Sequence, residues 1–227
     1  MKVAIIGTGK TGSKVVELLQ DSSPGIFNTT NPPTLEKLKK FDVIITFVPG
    51  TAFQNLLKLL LDSQLPVVSG ATGFNFPNDF HATLIHKKLR WIHSNNFSLG
   101  INLIQPMLKA LKKTSRLFAD YHFTLHETHH VQKKDAPSGT SQMWQAWLGE
   151  KINITSERTG DVVGTHCLTL NLDFEKITLT HEALDRKIFA QGAIYAAHEL
   201  LTNKNLEYGL LNFTTLVKEK ISEEETL

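Results

Sequence analysis

The stretch Val3-Ala4-Ile5-Ile6-Gly7-Thr8-Gly9-Lys10-Thr11-Gly12 decides the fold of this chain. Its apolar half predicts a buried strand, and its three glycines have the spacing G-x-G-x-x-G. Val15, Val16 and Leu19 then recur at helical spacing, so the glycine-rich turn joins a strand to a helix. In that setting glycines permit a tight turn and let backbone N–H groups approach a pyrophosphate, although an ordinary glycine-rich turn has the same letters. We therefore expect a dinucleotide to bind at Gly7, Thr8, Gly9, Lys10, Thr11 and Gly12.

The residues up to 99 alternate between strand and helix patterns. The segments 42–48, 66–69 and 90–93 are candidates for three further strands, and apolar side chains recur at helical spacing between 53 and 61. Strands that alternate with helices favour a parallel sheet covered on both faces. This part of the chain is therefore expected to form a Rossmann-like, doubly wound parallel sheet.

From residue 100 the pattern changes. A helical period at 101–111 is followed by alternation at 121–125, a helix at 140–150, and a hairpin around a turn at 173–176. A last helix carries apolar residues between 189 and 201, and the acidic tail at 222–226 is expected to be disordered. The prediction is an α/β protein whose doubly wound sheet is joined to a smaller α+β domain with a mixed or antiparallel sheet.

Composition limits the function classes. Of 227 residues, 41% are hydrophobic and 20% are charged, and the formal net charge is +2. So small a charge, without a basic run, argues against nucleic acid as a partner. Cys167 is the only cysteine, which rules out an intrachain disulfide and a thiolate metal cluster. Glycines soon interrupt the apolar start, unlike a signal peptide, and no apolar run approaches the roughly 20 residues of a membrane span. We expect a cytoplasmic protein without a membrane partner.

The segment His126-Glu127-Thr128-His129-His130 matches H-E-x-x-H, a zinc-binding pattern. That chemistry needs a helix, which places both histidines on one face, whereas Tyr121, Phe123 and Leu125 alternate as in a strand. In an extended chain, residues four apart are separated by roughly 13 Å, at about 3.3 Å for each residue. We therefore expect no metal, with a loop-borne metal site as the alternative.

Pro137-Ser138-Gly139-Thr140 precedes a helical pattern and predicts an anion-binding first turn. N–H groups at the start of a helix lack intrahelical acceptors, and Gly139 permits close approach. A helix cap by the serine or threonine is the simpler interpretation, and the two roles are compatible. Because Lys133, His129 and His130 lie just upstream, the segment combines groups that exchange protons with a site suited to a small dianion.

The segment from Glu127 to Thr140 resembles the signature of the dihydrodipicolinate reductase family, whose members are also called 4-hydroxy-tetrahydrodipicolinate reductases. Further blocks follow the family in the same order along nearly the whole chain. They are Gly7 to Gly12, Gly70 to Phe74, Asn95 to Gly100, Gly160 to His166, Thr180 to Ala183, and Arg186 with Phe189 to Ala193.

The resemblance implies an NADPH- or NADH-dependent reduction, in lysine and diaminopimelate biosynthesis, of the cyclic dicarboxylate made by dihydrodipicolinate synthase. It implies that residues 1–99 and 187–227 bind the dinucleotide, and that residues 100–186 bind substrate and form a homotetramer. His129 would exchange a proton with the substrate, and Lys133 would be a second proton donor. The substrate carboxylate would be held by His130, Ser138, Gly139 and Thr140. Contacts with the cofactor would extend to Gly70, Ala71, Thr72, Ser94, Asn95, Asn96 and Phe97.

Two features depart from the family. The region between Gly12 and Asp42 is shorter than expected, which indicates a trimmed strand–helix pair. An acidic residue for the ribose is expected about 20 residues after the glycines, but residues 27–31 read Phe-Asn-Thr-Thr-Asn. The lack of a carboxylate there removes a repulsion against a 2′-phosphate, so NADPH is tolerated and the preference between NADPH and NADH stays open.

Two alternative functions share part of this pattern. Homoserine and aspartate dehydrogenases share the two-domain plan but lack the pairing of a histidine–lysine segment with Pro-Ser-Gly-Thr. A catalytically inactive nucleotide-binding sensor or scaffold would keep the fold, but intact His129 and Lys133 argue against it.

Overall fold

The computed structural model describes residues 1–222. Its contacts divide it into two compact units, one of Met1–Leu99 with the chain from Arg186 onward, the other of Gly100–Asp185. Ser222 ends a helix, and the rest of the tail for which disorder was expected, 223–226, lies outside the described residues.

The described chain contains ten strands. They are β1 (Val3–Ile6), β2 (Gly25–Phe27), β3 (Val43–Thr46), β4 (Val67–Ser69), β5 (Arg90–His93), β6 (His122–His129), β7 (Asn153–Arg158), β8 (Gly164–Asn171), β9 (Lys176–Ala183) and β10 (Gly209–Asn212).

The same residues form eight α-helices and two short 3-10 helices, at Gln20–Ser22 and Lys112–Arg116. The α-helices are α1 (Gly12–Leu18), α2 (Leu35–Leu38), α3 (Gly50–Asp62), α4 (Phe80–His86), α5 (Leu99–Leu111), α6 (Gly139–Leu148), α7 (Lys187–Thr202) and α8 (Phe213–Ser222). None of the helices described here is both long enough and apolar enough to cross a membrane.

The first unit is built on a six-stranded sheet with the order β10-β5-β4-β3-β1-β2, in which every pair of neighbours is parallel. All residues of β1 and β3 are buried, as expected of strands covered on both faces. Val3 and Ile5 pack with alanines of α7 on one face, while Ala4 and Ile6 pack with Phe53 of α3 on the other. The prediction of a Rossmann-like, doubly wound sheet is confirmed.

The strand–helix pair between Gly12 and Asp42 is present but short. β2 has three residues and α2 has four, so neither is long enough to show a hydrophobic period in the sequence. The sequence also gave no signal for α4, β7, β10 and α8. The trimming expected in this region therefore shortens the two elements without removing them.

The second unit contains a four-stranded sheet with the order β7-β6-β8-β9. β6 pairs in parallel with β7 and antiparallel with β8, so the sheet is mixed. Side chains alternate along β6 between a face covered by α5 and α6 and an exposed face. Phe123 and Leu125 enter the core with Trp144 of α6, and Glu127 and His129 continue the same buried row at the end of the strand. Polar groups thus extend an apolar row without leaving the interior.

Candidate active site

The H-E-x-x-H segment lies on β6 and the residue after it, so it forms no helical pair of zinc ligands. His126 is on the exposed face, where its ring nitrogens contact Thr155 Oγ1 at 2.8 Å and Glu157 Oε2 at 3.5 Å. Glu127, by contrast, is completely buried. The register of the sheet brings Glu127 opposite Ser156 of β7 on one side and His166 of β8 on the other.

The Glu127 carboxylate accepts hydrogen bonds from four residues. Both oxygens are 3.0 Å from Ser138 N–H, one accepts from Ser141 Oγ, and the other accepts from Ser156 Oγ at 2.9 Å and Arg158 Nη2 at 3.0 Å. Burial by itself raises the pKa of Glu127, but these hydrogen bonds outweigh it and lower the pKa to about 2. The carboxylate is therefore ionised at neutral pH in spite of its burial.

Arg158, at the end of β7, fastens the loop that follows β6. Its Nε donates to the backbone carbonyl of Lys133 at 3.2 Å, and its Nη2 donates to the carbonyl of Asp135 as well as to Glu127. Its Nη1 donates to Glu157 O at 2.7 Å. One guanidinium group thus holds two points of the loop and the carboxylate on β6, which a lysine ammonium, with all its donors on one nitrogen, cannot span.

Lys133 extends from this loop and forms an ion pair within it. Its Nζ lies 2.8 Å from each oxygen of Asp135. Partial burial tends to raise the pKa of Asp135, but the hydrogen bond from Lys133 and the N–H groups of Asp135 and Gly139 outweigh it and lower the pKa. The Asp135 carboxylate is thereby placed between the lysine and the start of α6.

The start of α6 has the geometry that its sequence predicts. Ser138 is the N-cap, and its Oγ accepts a hydrogen bond from Ser141 N–H at 3.2 Å, so the helix-cap interpretation holds. Gly139 is exposed, and a Cβ placed on it would meet no atom within 4 Å. The glycine thus leaves space for an anion beside the first turn, although its own N–H faces the Asp135 carboxylate.

His129 and His166 lie beside the Glu127 carboxylate. His129 Nδ1 and His166 Nε2 are each 3.9 Å from Glu127 Oε2, and the two rings meet edge to face with centroids 5.1 Å apart. Burial lowers the pKa of His129 to about 4, against the opposing effect of Glu127. Burial and the neighbouring His129 lower the pKa of His166 to about 3. Both imidazoles are therefore neutral at pH 7.

Glu127, His129 and His166 could also be considered as metal ligands, because one ligating atom of each lies within 4.8 Å of the others. The carboxylate, however, already accepts hydrogen bonds from three serines and the Arg158 guanidinium. A cation would have to displace these donors and bind next to a fixed positive charge. The arrangement favours a hydrogen-bonded network over a metal centre.

In the first unit, the glycine-rich turn after β1 is as tight as its spacing predicts. Gly7 has a φ of +96°, and a Cβ added to Gly12 would lie 2.0 Å from the carbonyl oxygen of Gly7. A Cβ at Gly9 would meet nothing within 4 Å. Gly7 and Gly12 thus close the turn, while Gly9 leaves its outer side open to a ligand.

The other candidate cofactor residues follow β4 and β5, and the carboxyl ends of these parallel strands share one edge of the sheet with β1. Ser94 N–H donates to Ser69 O at 3.1 Å, which joins the two loops. Phe97 packs its buried ring against Phe213, with centroids 4.8 Å apart, so only its backbone is available to a ligand. Gly70, Ala71, Thr72, Asn95 and Asn96 occupy the same edge.

A cavity of about 490 Å³ opens beside the glycine-rich turn, within the first unit. Gly7, Thr8 and Gly9 line it, whereas Lys10, Thr11 and Gly12 do not. Its other walls carry no motif that marks them in the sequence, and they come from the segments after β2 and β3 and from α3. They are Asn28, Thr29, Pro32, Pro33, Phe47, Val48, Pro49, Ala52, Asn55 and Leu56, with Ile6 at the end of β1.

Asn28 stands directly after β2, where an acidic residue for the ribose was sought. Its Oδ1 accepts hydrogen bonds from Thr30 N–H at 3.0 Å, Thr30 Oγ1 at 2.8 Å and Asn31 N–H at 3.0 Å. Lys37 Nζ donates to Asn31 Oδ1 at 2.8 Å on the neighbouring turn. This end of the cavity is therefore lined by Asn28 and Thr29 instead of a carboxylate, and the Lys37 ammonium holds the adjacent turn.

A family model described as the C-terminus of dihydrodipicolinate reductase matches residues 100–214. The 4-hydroxy-tetrahydrodipicolinate reductase of Pelagibacter ubique is 32% identical over 207 residues, which cover 79% of this chain and 80% of that protein. The chain belongs to the dihydrodipicolinate reductase family. A family member with the same name from Christiangramia forsetii is 33% identical over 222 residues, covering 88% of this chain and 92% of its own.

Solved structures agree on the fold. A dipicolinate-bound dihydrodipicolinate reductase from a Paenisporosarcina species superposes with a TM-score of 0.72 at 21% identity, covering 93% of this chain and 97% of its own. An aspartate dehydrogenase from Thermotoga maritima gives a TM-score of only 0.50 at 12% identity, covering 92% and 99%. The reductase family and the dehydrogenases thus share an architecture, while the sequence matches above assign this chain to the reductase family.

Proposed function

We propose that this protein is an NAD(P)H-dependent 4-hydroxy-tetrahydrodipicolinate reductase of lysine and diaminopimelate biosynthesis. The proposal depends on one observation: β6, the loop after it and α6 all lie within residues 100–214, which the family model matches. Hydrogen bonds of Glu127 and Arg158 connect the strand that carries His129 with the loop that carries Lys133 and with the start of α6.

The glycine-rich turn is proposed to hold the pyrophosphate of a nicotinamide dinucleotide. The fit is supported by Gly12, where a Cβ would fill the turn, and by the open side of Gly9 against the cavity. The bound cofactor would supply the hydride for the reduction. Gly70 to Thr72 and Ser94 to Phe97 are proposed to contact the cofactor from the same edge of the sheet, with backbone contacts at Phe97.

The first turn of α6 and the side chains beside it are proposed to bind the dicarboxylate. The N–H groups of Gly139 and Thr140 would receive one carboxylate, because the start of a helix carries partial positive charge. Ser138 and His130 would complete this site. Lys133 would leave Asp135 to pair with substrate, so that one negative charge replaces another at the ammonium.

Lys133 and His129 are proposed to divide the proton transfer. Lys133 would be the proton donor, because a lysine ammonium carries a proton that it can transfer to the substrate. His129 is neutral at pH 7, since burial lowers its pKa to about 4. A bound dianion would raise the pKa of His129, because an opposite charge favours the protonated form. His129 would then be able to hold a proton beside the substrate.

NADPH is proposed to be used at least as well as NADH. Residues 28–35 after β2 include no carboxylate to repel a 2′-phosphate, and Lys37 donates to Asn31 on the adjacent turn.

The family resemblance further supports a homotetramer, which light scattering on the purified protein would test.

Substrate-dependent oxidation of NADPH is the deciding experiment, followed by absorbance and repeated with NADH at matched concentration. The substrate is generated in the cuvette by dihydrodipicolinate synthase, and mixtures that lack the synthase are the control. Turnover that requires the synthase product is the expected result. Cofactor binding without turnover would instead identify an inactive nucleotide-binding protein and overturn the proposal.

A further inference from the structure

In the proposed function, Glu127 and Arg158 neither exchange a proton with the substrate nor contact it. Both residues are largely shielded from solvent, with side-chain exposures of 0% and 19%. Their atoms meet at 3.0 Å between Glu127 Oε1 and Arg158 Nη2. A buried pair of this kind is costly to desolvate, and burial alone is weak evidence that it contributes to stability. Its contacts indicate what else it does.

On one side the pair fixes the start of α6. Glu127 accepts from the N–H of Ser138, the helix cap, and from Ser141 Oγ in the first turn. Ser138 Oγ in turn lies 3.2 Å from His166 Nε2. The position of the first helical turn relative to β6 therefore depends on the carboxylate.

On the other side the pair fixes the loop that carries Lys133. Arg158 donates hydrogen bonds to the backbone carbonyls of Lys133 and Asp135. Near the start of the loop, two backbone hydrogen bonds run between the chain after β6 and the chain after β7. In these, Thr159 N–H donates to His129 O, and Val131 N–H donates to Gly160 O. Both backbone carbonyls held by Arg158 thus belong to the ion-paired residues of the loop.

We propose that Glu127 and Arg158 are positioning residues, which together set the separation between the Lys133 ammonium and the first turn of α6 and thereby determine the affinity for the dicarboxylate. This inference rests on the proposed function, because it assumes that the lysine and the helix start hold the same substrate. A dicarboxylate has two charged ends at a fixed separation, so its binding is sensitive to the distance between the two groups that receive it.

A purely structural ion pair predicts a different outcome. Its loss would lower the stability of the second unit without discriminating between the two substrates of the reaction. A positioning pair affects the dicarboxylate and leaves the dinucleotide unaffected, because the candidate cofactor residues all belong to the first unit.

The test compares Glu127→Gln and Arg158→Lys with Glu157→Gln as a matched control. Glu157 precedes Arg158 on the same strand, but it is exposed and contacts His126. Calorimetric titration of dipicolinate into the NADPH-bound protein gives the Kd of a dicarboxylate, and steady-state kinetics give the KM of each substrate. Circular dichroism and thermal unfolding establish that each variant is folded.

The two pair variants are expected to raise the Kd of dipicolinate and the KM of the substrate by about tenfold or more, and the KM of NADPH by less than about twofold. The double variant should bind no more weakly than the worse single variant, because both changes break one unit. Glu157→Gln should behave as wild type. If Glu127→Gln does not fold, Ser156→Ala removes a single donor to the carboxylate and should still raise the Kd severalfold.

Two kinds of failure are distinguishable. A wild-type protein that neither binds dipicolinate nor reduces the substrate would overturn the proposed function. An active wild type whose folded pair variants keep the dicarboxylate Kd within about twofold, or lose affinity for both substrates equally, would overturn the inference alone.

Discussion

The ammonium of Lys133 lies 2.8 Å from both carboxylate oxygens of Asp135. The same carboxylate faces the N–H of Gly139 at the start of α6. An internal anion thus meets two of the groups that are proposed to receive a substrate carboxylate. A substrate bound in the proposed way would compete with Asp135 for them.

Asp135→Asn should therefore strengthen the binding of dicarboxylates. The amide keeps the shape of the side chain but removes the negative charge that competes for Lys133, so the Kd of dipicolinate should fall by about threefold to tenfold. Calorimetry in the presence of NADPH measures it. Weaker binding in the variant would mean that Asp135 orients Lys133 and does not compete with the ligand.

Lys133→Ala and His129→Ala should each remove most of the activity without unfolding the protein. The loss of a positioned proton donor costs about 10²-fold or more in kcat. Lys134→Ala is the control, because it removes an exposed ammonium from the next position of the same loop. Turnover near the wild-type value in either of the first two variants would remove the role proposed for that residue.

Stability should fall as the pH is lowered through the range in which free histidine titrates. The pKa values of His129 and His166 are lowered from 6.5 to about 4 and about 3 by burial, so the unfolded chain binds more protons than the folded one below about pH 6.5. Partial burial also lowers the pKa values of His93 and His181, which act in the same direction. The stabilisation is thus present above the unfolded pKa and is lost toward the folded pKa.

The free energy of unfolding, measured by urea titration, should decrease by on the order of 4 kcal/mol between pH 7 and pH 5, about 2 kcal/mol for each of His129 and His166. His166→Asn should flatten this dependence, whereas His122→Asn, which replaces an exposed histidine on β6, should not. A free energy that stays constant over the range would contradict the burial of neutral imidazoles.

Alanine substitutions at two glycines of the dinucleotide turn should have different effects, one on stability and the other on the binding of NADPH. Gly12→Ala places a Cβ 2.0 Å from a backbone oxygen and should destabilise the first unit by about 2 kcal/mol or more. Gly9→Ala meets no protein atom and should leave the unfolding temperature unchanged, yet raise the Kd of NADPH by about tenfold, since the methyl group enters the space of the ligand. Unchanged NADPH binding in Gly9→Ala would place the pyrophosphate elsewhere.

Asn28→Asp should shift the preference of the enzyme toward NADH. Aspartate can accept the same hydrogen bonds from Thr30 and Asn31, so the turn is preserved while a carboxylate appears at the end of β2. Repulsion of a 2′-phosphate should lower kcat/KM for NADPH by about tenfold relative to NADH. Asn78→Asp, which adds the same charge at an exposed position that does not line the cavity, serves as the control.

The longer elements of both units could be predicted because their apolar residues recur over enough positions to identify a strand or a helix. β1 and β3 are buried, mainly apolar runs, and β6, β8 and β9 alternate. β2 and α2 have only three and four residues, which is less than one repeat of a pattern. β7 could not be predicted because it lies at the edge of its sheet and carries mostly exposed side chains.

The candidate site was only partly visible in the sequence for a related reason. His129, Lys133 and Ser138 belong to one segment, and Ser138 is the helix cap that its position predicts. Arg158 and His166 come from other strands, and only the register of β6 with β7 and β8 brings them to Glu127 and His129. A single sequence does not specify that register, so the partners of the buried carboxylate could not be named in advance.

Glu127 and His129 share one buried row of β6 with Phe123 and Leu125, so the apolar core determines the side of the sheet on which the two polar residues lie. A slip of β6 by one residue would turn His126 and Thr128 inward and send the carboxylate and imidazole out to water. The packing of the apolar residues of β6 therefore fixes the register of its polar residues. A larger or smaller side chain in place of Leu125 should then change turnover, although Leu125 is not among the residues proposed to contact the substrate.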